Sequence, residues 1–192
     1  IEPQPASGIS QSCLQCSLSN LCIPIAVNKD EIDRLEDLIK QGKTINRGDH
    51  IFKEHMPFKS LFAVRSGAIK TYSVTEDGEE QVTGFYLPGE IIGLDSTNTD
   101  AYSCSAKALE RASVCEIPFS QLETLATKIP TLQHHFFSLM SKEIQGSRQL
   151  TMLLSKNTAE ERIASLLLSL SSRFKLRKLS GTSFRLPMPR NE

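Results

Sequence analysis

Ten residues constrain this chain more than any others. Cys13-Leu14-Gln15-Cys16-Ser17-Leu18-Ser19-Asn20-Leu21-Cys22 places three of its five cysteines at C-x2-C-x5-C spacing, and Ile23-Pro24 follows. No carboxylate lies between Ile9 and Lys29 to compete as a hard ligand. So short a segment cannot bury three thiols by its own packing, and inert core cysteines fit it poorly. Soft thiolates at short spacing suit zinc or an iron–sulfur cluster. A tetrahedral zinc site and a cubane each need four ligands. The fourth has to come from far along the chain, where only Cys104 and Cys115 remain. Spacing leaves the metal open. Zinc pairs of the C-x2-C kind usually come with a second pair, absent here, and common ferredoxin runs are spaced differently. A disulfide is a third reading.

The redox compartment bears on that choice. Exported proteins pair their cysteines, whereas five with three clustered suit a reducing cytoplasm. No apolar run approaches the length of a membrane span, and no signal peptide is read before the cysteines. With 192 residues, 39% of them hydrophobic and 23% charged, the chain can form one large domain, or one domain and part of another. Its formal net charge is zero, so the composition argues neither for nor against nucleic acid. The chain opens on Ile1 and stops at Arg190-Asn191-Glu192, which predicts that one or both natural ends lie outside it.

Asn28, with Glu31 three residues on, predicts a capped helix carrying the apolar stripe Ile32, Leu35, Leu38 and Ile39, ended by Gly42. From about Thr44 to Phe119 the pattern turns to at least seven short strands with frequent turns, including an Asp77-Gly78 hairpin, which implies a sandwich or jelly-roll barrel. Ser120-Gln121-Leu122-Glu123 reads as a second capping box, and Pro130 interrupts the short helix that follows. Thr131 to about Leu154 is then a proline-free helix roughly 35 Å long. Phe137, Met140, Ile144, Ser147, Thr151 and Leu154 recur at 3, 4, 3, 4, 3, a coiled-coil seam. Phe136, Leu139, Leu150 and Leu153 form a second stripe. Two stripes imply two partners: one can face the barrel and the other a second copy of the helix, the alternative being a helix buried on both sides within a monomer. Asn157-Thr158-Ala159-Glu160 starts a last helix with Ile163, Leu166, Leu167, Leu170 and Phe174, whose basic end, Arg173 to Lys178, is expected to be solvated.

Several runs together carry a resemblance. They are the C-x2-C-x5-C-Ile-Pro motif, Leu61 to Lys70 with Arg65-Ser66-Gly67-Ala68-Ile69-Lys70, Gly78-Glu79-Glu80-Gln81-Val82-Thr83-Gly84-Phe85, Val114-Cys115-Glu116-Ile117-Pro118-Phe119, and Leu153 to Arg162. From Cys13 to Glu192 the chain resembles the oxygen-sensing transcription regulators of the fumarate-and-nitrate-reduction (FNR) type, within the CRP/FNR superfamily. The resemblance implies an α+β fold: an N-terminal jelly-roll-like β-barrel of the cyclic-nucleotide-binding kind, a long dimerisation helix, and the start of a C-terminal winged helix-turn-helix domain. The segments would be 1–27 for cluster binding, 28–129 for the sensory barrel with flanking helices, 130–155 for the dimerisation helix, and 156–192 for the beginning of the DNA-binding domain. The recognition helix would follow Glu192, so no DNA-contacting residue is named.

The family's [4Fe-4S] ligands fall on Cys13, Cys16, Cys22 and Cys115. Cys104 has no counterpart and is expected to be a buried or half-buried packing residue. Ser17 and Leu21, beside two ligands, are the candidates for shielding the cluster. The resemblance further implies a cytoplasmic homodimer that binds DNA and RNA polymerase, is no enzyme, and loses DNA binding when oxygen destroys the cluster and parts the subunits. The exposed, acidic Thr75 to Glu80 turn is a candidate polymerase contact. Cyclic nucleotide is not expected, because Cys104-Ser105-Ala106 stands where the superfamily's nucleotide binders carry Arg-Ser-Ala. The rival reading is a zinc-stabilised CRP-like regulator or interaction module without oxygen sensing.

Overall fold

The structure, a computed structural model, describes Cys13 and residues 16–156 and 158–186. Asn28 caps the first helix, α1 (Lys29–Leu38). Its side chain accepts from the backbone N–H groups of Asp30 and Glu31, and its own N–H donates to the Glu31 carboxylate. Ile32, Leu35 and Leu38 are buried, as their spacing requires. The helix ends at Leu38 and not at Gly42. Gly42, at φ +81°, lies inside the first strand, β1 (Lys40–Ile45), where the register slips between Lys40 and Lys43. This bulge takes in its extra residue with one position at positive φ, a conformation that glycine adopts without strain.

Seven more strands follow: β2 (His50–Phe52), β3 (Ser60–Ser66), β4 (Ile69–Val74), β5 (Glu80–Tyr86), β6 (Ile91–Ile92), β7 (Ser105–Ala108) and β8 (Ala112–Pro118). They form two four-stranded antiparallel sheets, ordered β1-β8-β3-β6 and β2-β7-β4-β5, the jelly-roll order. Alternation along β3 and β8 sorts their side chains. Phe62, Val64 and Val114 pack between the sheets with Phe52, Ile69 and Ala106. Leu61, Ala63, Ile117 and the half-buried Cys115 belong to a second core, shared with Leu35, Leu122, Ile129 and Leu132 from the helices.

Ser120 does not cap the helix after the barrel. That helix, α2 (Phe119–Ala126), continues directly from β8 with Pro118 at its N-cap. Phe119 N–H donates to the carbonyl of Lys59 at 3.0 Å, so the neighbouring chain satisfies this end of the helix without a side-chain cap. The long helix, α3 (Pro130–Lys156), begins at the proline rather than after it, because a first-turn residue needs no N–H partner. Thr158 and Glu161 form a capping box for α4 (Ala159–Leu176). The basic end of α4 is not simply solvated. Arg173 and Arg177 both pair with Glu90, Arg177 Nε donates to the Pro88 carbonyl at 2.7 Å, and Arg173 donates to the Phe85 carbonyl. Leu170 is buried beside Ala68, Leu87 and Leu109. Among the described residues no helix is long and apolar enough to cross a membrane.

Candidate metal centre

The cysteine segment is wound by consecutive tight turns. Cys16 N–H donates to Cys13 O, Ser19 N–H to Cys16 O, and the N–H groups of Leu21 and Cys22 to Leu18 O. A short 3-10 turn, Ile23–Ala26 with Pro24 in its first positions, carries the chain on to α1. Ile23 is 2% exposed and anchors the segment in the second core. Cys115 arrives from the other side. It faces Ala63 across β8 and β3, on the sheet face that the cysteine segment covers. Cys13, Cys16, Cys22 and Cys115 thereby line one small cavity, walled by Leu18, Ile39, Ala63 and Ile117, with Arg65 as its charged lining residue. None of the five cysteines forms a disulfide.

Cys104 lies elsewhere. It is buried between the sheets, and its thiol faces the Asp95 carboxylate at 3.5 Å. Ser17 is exposed and Leu21 half-buried; Leu18 and Ser19 line the cavity instead. Leu21 meets the barrel at Gly89, where an added Cβ would stand 2.9 Å from Leu21 Cβ. Leu14, between the first two cysteines, lies outside the described residues.

Burial pushes Cys13 up to about 11; the Glu36 carboxylate and the neighbouring sulfurs add to this, and Arg65 opposes it. Burial likewise pushes Cys22 up to about 12. Cys115 is also raised by burial, while a hydrogen bond from the Gly42 backbone and the charge of Arg65 act the other way. Alone, these thiols keep their protons at neutral pH, so a metal that binds here has to displace them. Among the described residues, no three His, Cys, Asp or Glu side chains converge so as to hold one ion. A tetrahedral zinc needs sulfurs about 3.8 Å apart, from a Zn–S bond of about 2.3 Å. In a cubane each thiolate binds an iron of its own, so the sulfurs stand further apart around a larger group. Four cysteines lining one largely apolar cavity are the donor set that such a group takes.

The first turns of α3 follow the spacing of the inner stripe, and the seam residues Met140, Ile144, Ser147 and Thr151 border a cavity with Leu94, Asp95, Thr97 and Asn98 of the barrel. Phe136 and Leu139 pack against the second core. Phe137 is 60% and Ile144 55% exposed, with Ser147 and Thr151 exposed beside them and Met140 half-buried. The side chains of Leu153 and Leu154 lie outside the described ones.

Known proteins resemble the chain at two levels. The family described as "Cyclic nucleotide-binding domain" matches residues 42–128. The transcriptional activator protein FnrA of Stutzerimonas stutzeri is 49% identical over 180 residues, covering 94% of this chain and 74% of that protein. The fumarate and nitrate reduction regulatory protein of Vibrio cholerae is 43% identical over 187 residues, covering 97% and 75%. The chain belongs to the FNR-type transcription regulators of the CRP/FNR superfamily. FixK2 of Bradyrhizobium japonicum has the same fold, with a TM-score of 0.69 at 26% identity over 78% of this chain and 73% of that one.

Three features of this FNR-type regulator escaped the sequence reading. Arg65 and the Gly42 backbone reach the cysteine cavity only because β3 and β1 flank β8, an adjacency that no local pattern encodes. The pairing of Glu90 with Arg173 and Arg177 spans more than eighty residues. Glu90 follows the Pro88-Gly89 turn, and that turn was the one local hint that its carboxylate would be presented outward.

Proposed function

We propose that this regulator senses oxygen through a [4Fe-4S] cluster held by Cys13, Cys16, Cys22 and Cys115, and that its cluster-loaded homodimer binds DNA. The observation that carries the reading is the meeting of Cys115 with the cysteine segment in one cavity, about ninety residues apart in sequence. When bound, the cluster supplies a centre that oxygen oxidises and dismantles, so that ligation ends.

The chain's own residues do the rest. Leu18, Ile39 and Ile117 limit water at the sulfurs, while Ser17 and Leu21, outside the cavity lining but next in sequence to Cys16 and Cys22, set how readily an oxidant reaches them from the surface. Ligation ties the leading segment to β8, and closing so long a loop contributes about 4–5 kcal/mol in a chain-entropy account. That tie acts on α3 through Ile23, which shares a core with Ile129, Leu132, Phe136 and Leu139. With the tie in place, α3 is held so that Phe137, Met140, Ile144, Ser147, Thr151 and Leu154 meet a second copy. Without it the helix start shifts and the subunits part. Two half-sites one helical turn apart then lose their joint reader. Coupling is reciprocal, so dimerisation also protects the site.

RNA polymerase is the further partner, met at the exposed Thr75–Glu80 turn, and the cytoplasm is the compartment. Cyclic nucleotide has no place in this reading: Cys104 and the Asp95 carboxylate occupy the strand start where a phosphate would need a cation. The zinc-stabilised regulator remains the alternative, favoured by the all-sulfur donor set. Sedimentation of the full chain, purified without oxygen and then aerated, tests the proposal. The mass should fall from dimer to monomer as iron is lost; a dimer that survives complete loss of iron overturns it.

A further inference from the structure

Arg65 occupies a position that its strand neighbours make unusual. Along β3, Leu61 and Ala63 belong to the core that contains Cys115 and Ile117, whereas Phe62 and Val64 face between the sheets. Ala63 lies directly opposite Cys115, and two residues on is Arg65. Diagonal neighbours of this kind are within reach of a long side chain. The register slips between Val64 and Ser66, so Arg65 sits in a bulge, a device that re-aims a side chain. Here the bulge delivers the half-buried Arg65 to the cavity of the four cysteines, whose other lining residues are apolar or uncharged. Its charge acts on both Cys13 and Cys115, the ligands contributed by the two separate parts of the chain.

We infer that Arg65 is the charge partner of the four-sulfur site and sets the potential and the retention of the group bound there. This rests on the cluster reading above. Four thiolates around a [4Fe-4S]2+ core leave a net charge of −2 in an apolar cavity. Net charge, hydrogen bonds to sulfur and exposure are the levers a protein has over such a group. A guanidinium at the cavity wall offsets part of that charge, and it stabilises the more negative redox state more than the less negative one. Arg65 thus acts through the sulfurs as a positioning and tuning residue.

The test compares Arg65→Gln and Arg65→Met with Arg65→Lys, and with exposed Arg47→Gln as a control, in the full chain reconstituted without oxygen. Two quantities are read: the reduction potential of the bound group, and the rate of iron loss to a chelator. Removing the charge should speed iron loss about tenfold. It should also lower the potential by about 60 mV, the same factor for a one-electron couple. Arg65→Lys and Arg47→Gln should stay close to the parent. Two neutral variants keep the test open if one fails to fold. An unchanged potential in the neutral variants overturns the inference, and so does a Lys variant that falls as far as Gln. If the parent itself binds no iron and sulfide, it is the cluster reading that fails.

Discussion

Cys115 and Cys104 stand eleven positions apart and meet different chemistry. Cys115 is on the face of β8 that the cysteine segment covers, and Cys104 is buried inside the barrel against Asp95. Cys115→Ser should therefore abolish iron and sulfide binding. Cys104→Ser should leave both unchanged within error, at a modest cost in thermal stability. Metal analysis after anaerobic purification separates the two outcomes. Glu143 offers a prediction in pH. Burial raises its pKa, with Asp95 and Glu90 adding to the effect, while the hydrogen bond from Tyr86 OH at 2.9 Å and the charge of Arg173 oppose it. A carboxyl raised in the folded state favours folding most when protonated. Its contribution is full below the ordinary value of 4.5 and is lost as pH rises through the folded value. Glu143→Gln should thus gain stability relative to the parent across that window and keep the gain at neutral pH. Denaturant unfolding at pH 4 and pH 7 reads the difference, and a gain that shrinks with rising pH would contradict it.

At the scale of elements, local signals held wherever the chain itself supplies the partner. Asn28 with Glu31 and Thr158 with Glu161 are capping boxes in sequence and in structure. Ser120 with Glu123 has the same spacing, yet Lys59 from across the sheet already accepts from the first helical N–H group. Gly42 carries the signal of a helix end and serves a strand bulge, because pairing with β8 claims Lys40 for the sheet. Periodicity made the inner face of α3 legible at Phe136 and Leu139, which pack on the second core; of the other stripe, Phe137 and Ile144 are exposed, while Met140, Ile144, Ser147 and Thr151 border a cavity shared with Leu94 and Asn98 of the barrel. Ser147 is a polar, exposed member of the seam stripe. Ser147→Leu adds an apolar side chain worth roughly 1.5–3 kcal/mol when buried. The variant should dimerise without any metal, as sedimentation of the metal-free chain would show. A monomer would place the seam elsewhere on the helix.

Across the whole molecule, the jelly-roll order and the sharing of one cavity by two distant segments were not readable from spacing. Spacing left zinc, iron and the choice between Cys104 and Cys115 open; the family resemblance narrowed the choice, and the strand order brought Cys115 to the other sulfurs. The anchoring of α4 was not readable at all, because Arg173 and Arg177 look like any basic helix end until Glu90 is placed beside them. Glu90→Gln should loosen α4 from the barrel at a cost of about 2 kcal/mol, since it leaves two half-buried guanidinium groups with a weaker acceptor. Faster amide hydrogen exchange confined to α4 and the Pro88-Gly89 turn would show it; unchanged exchange there would mean that Leu170 and Phe174 hold the helix unaided. The central claim is that sulfurs from both ends of the barrel sequence grip one oxygen-labile group. Iron and acid-labile sulfide per chain, measured after purification without oxygen and followed in air, test it most directly. The account predicts about four of each at the start, both lost on aeration; a chain that carries only zinc, unaffected by air, would contradict it.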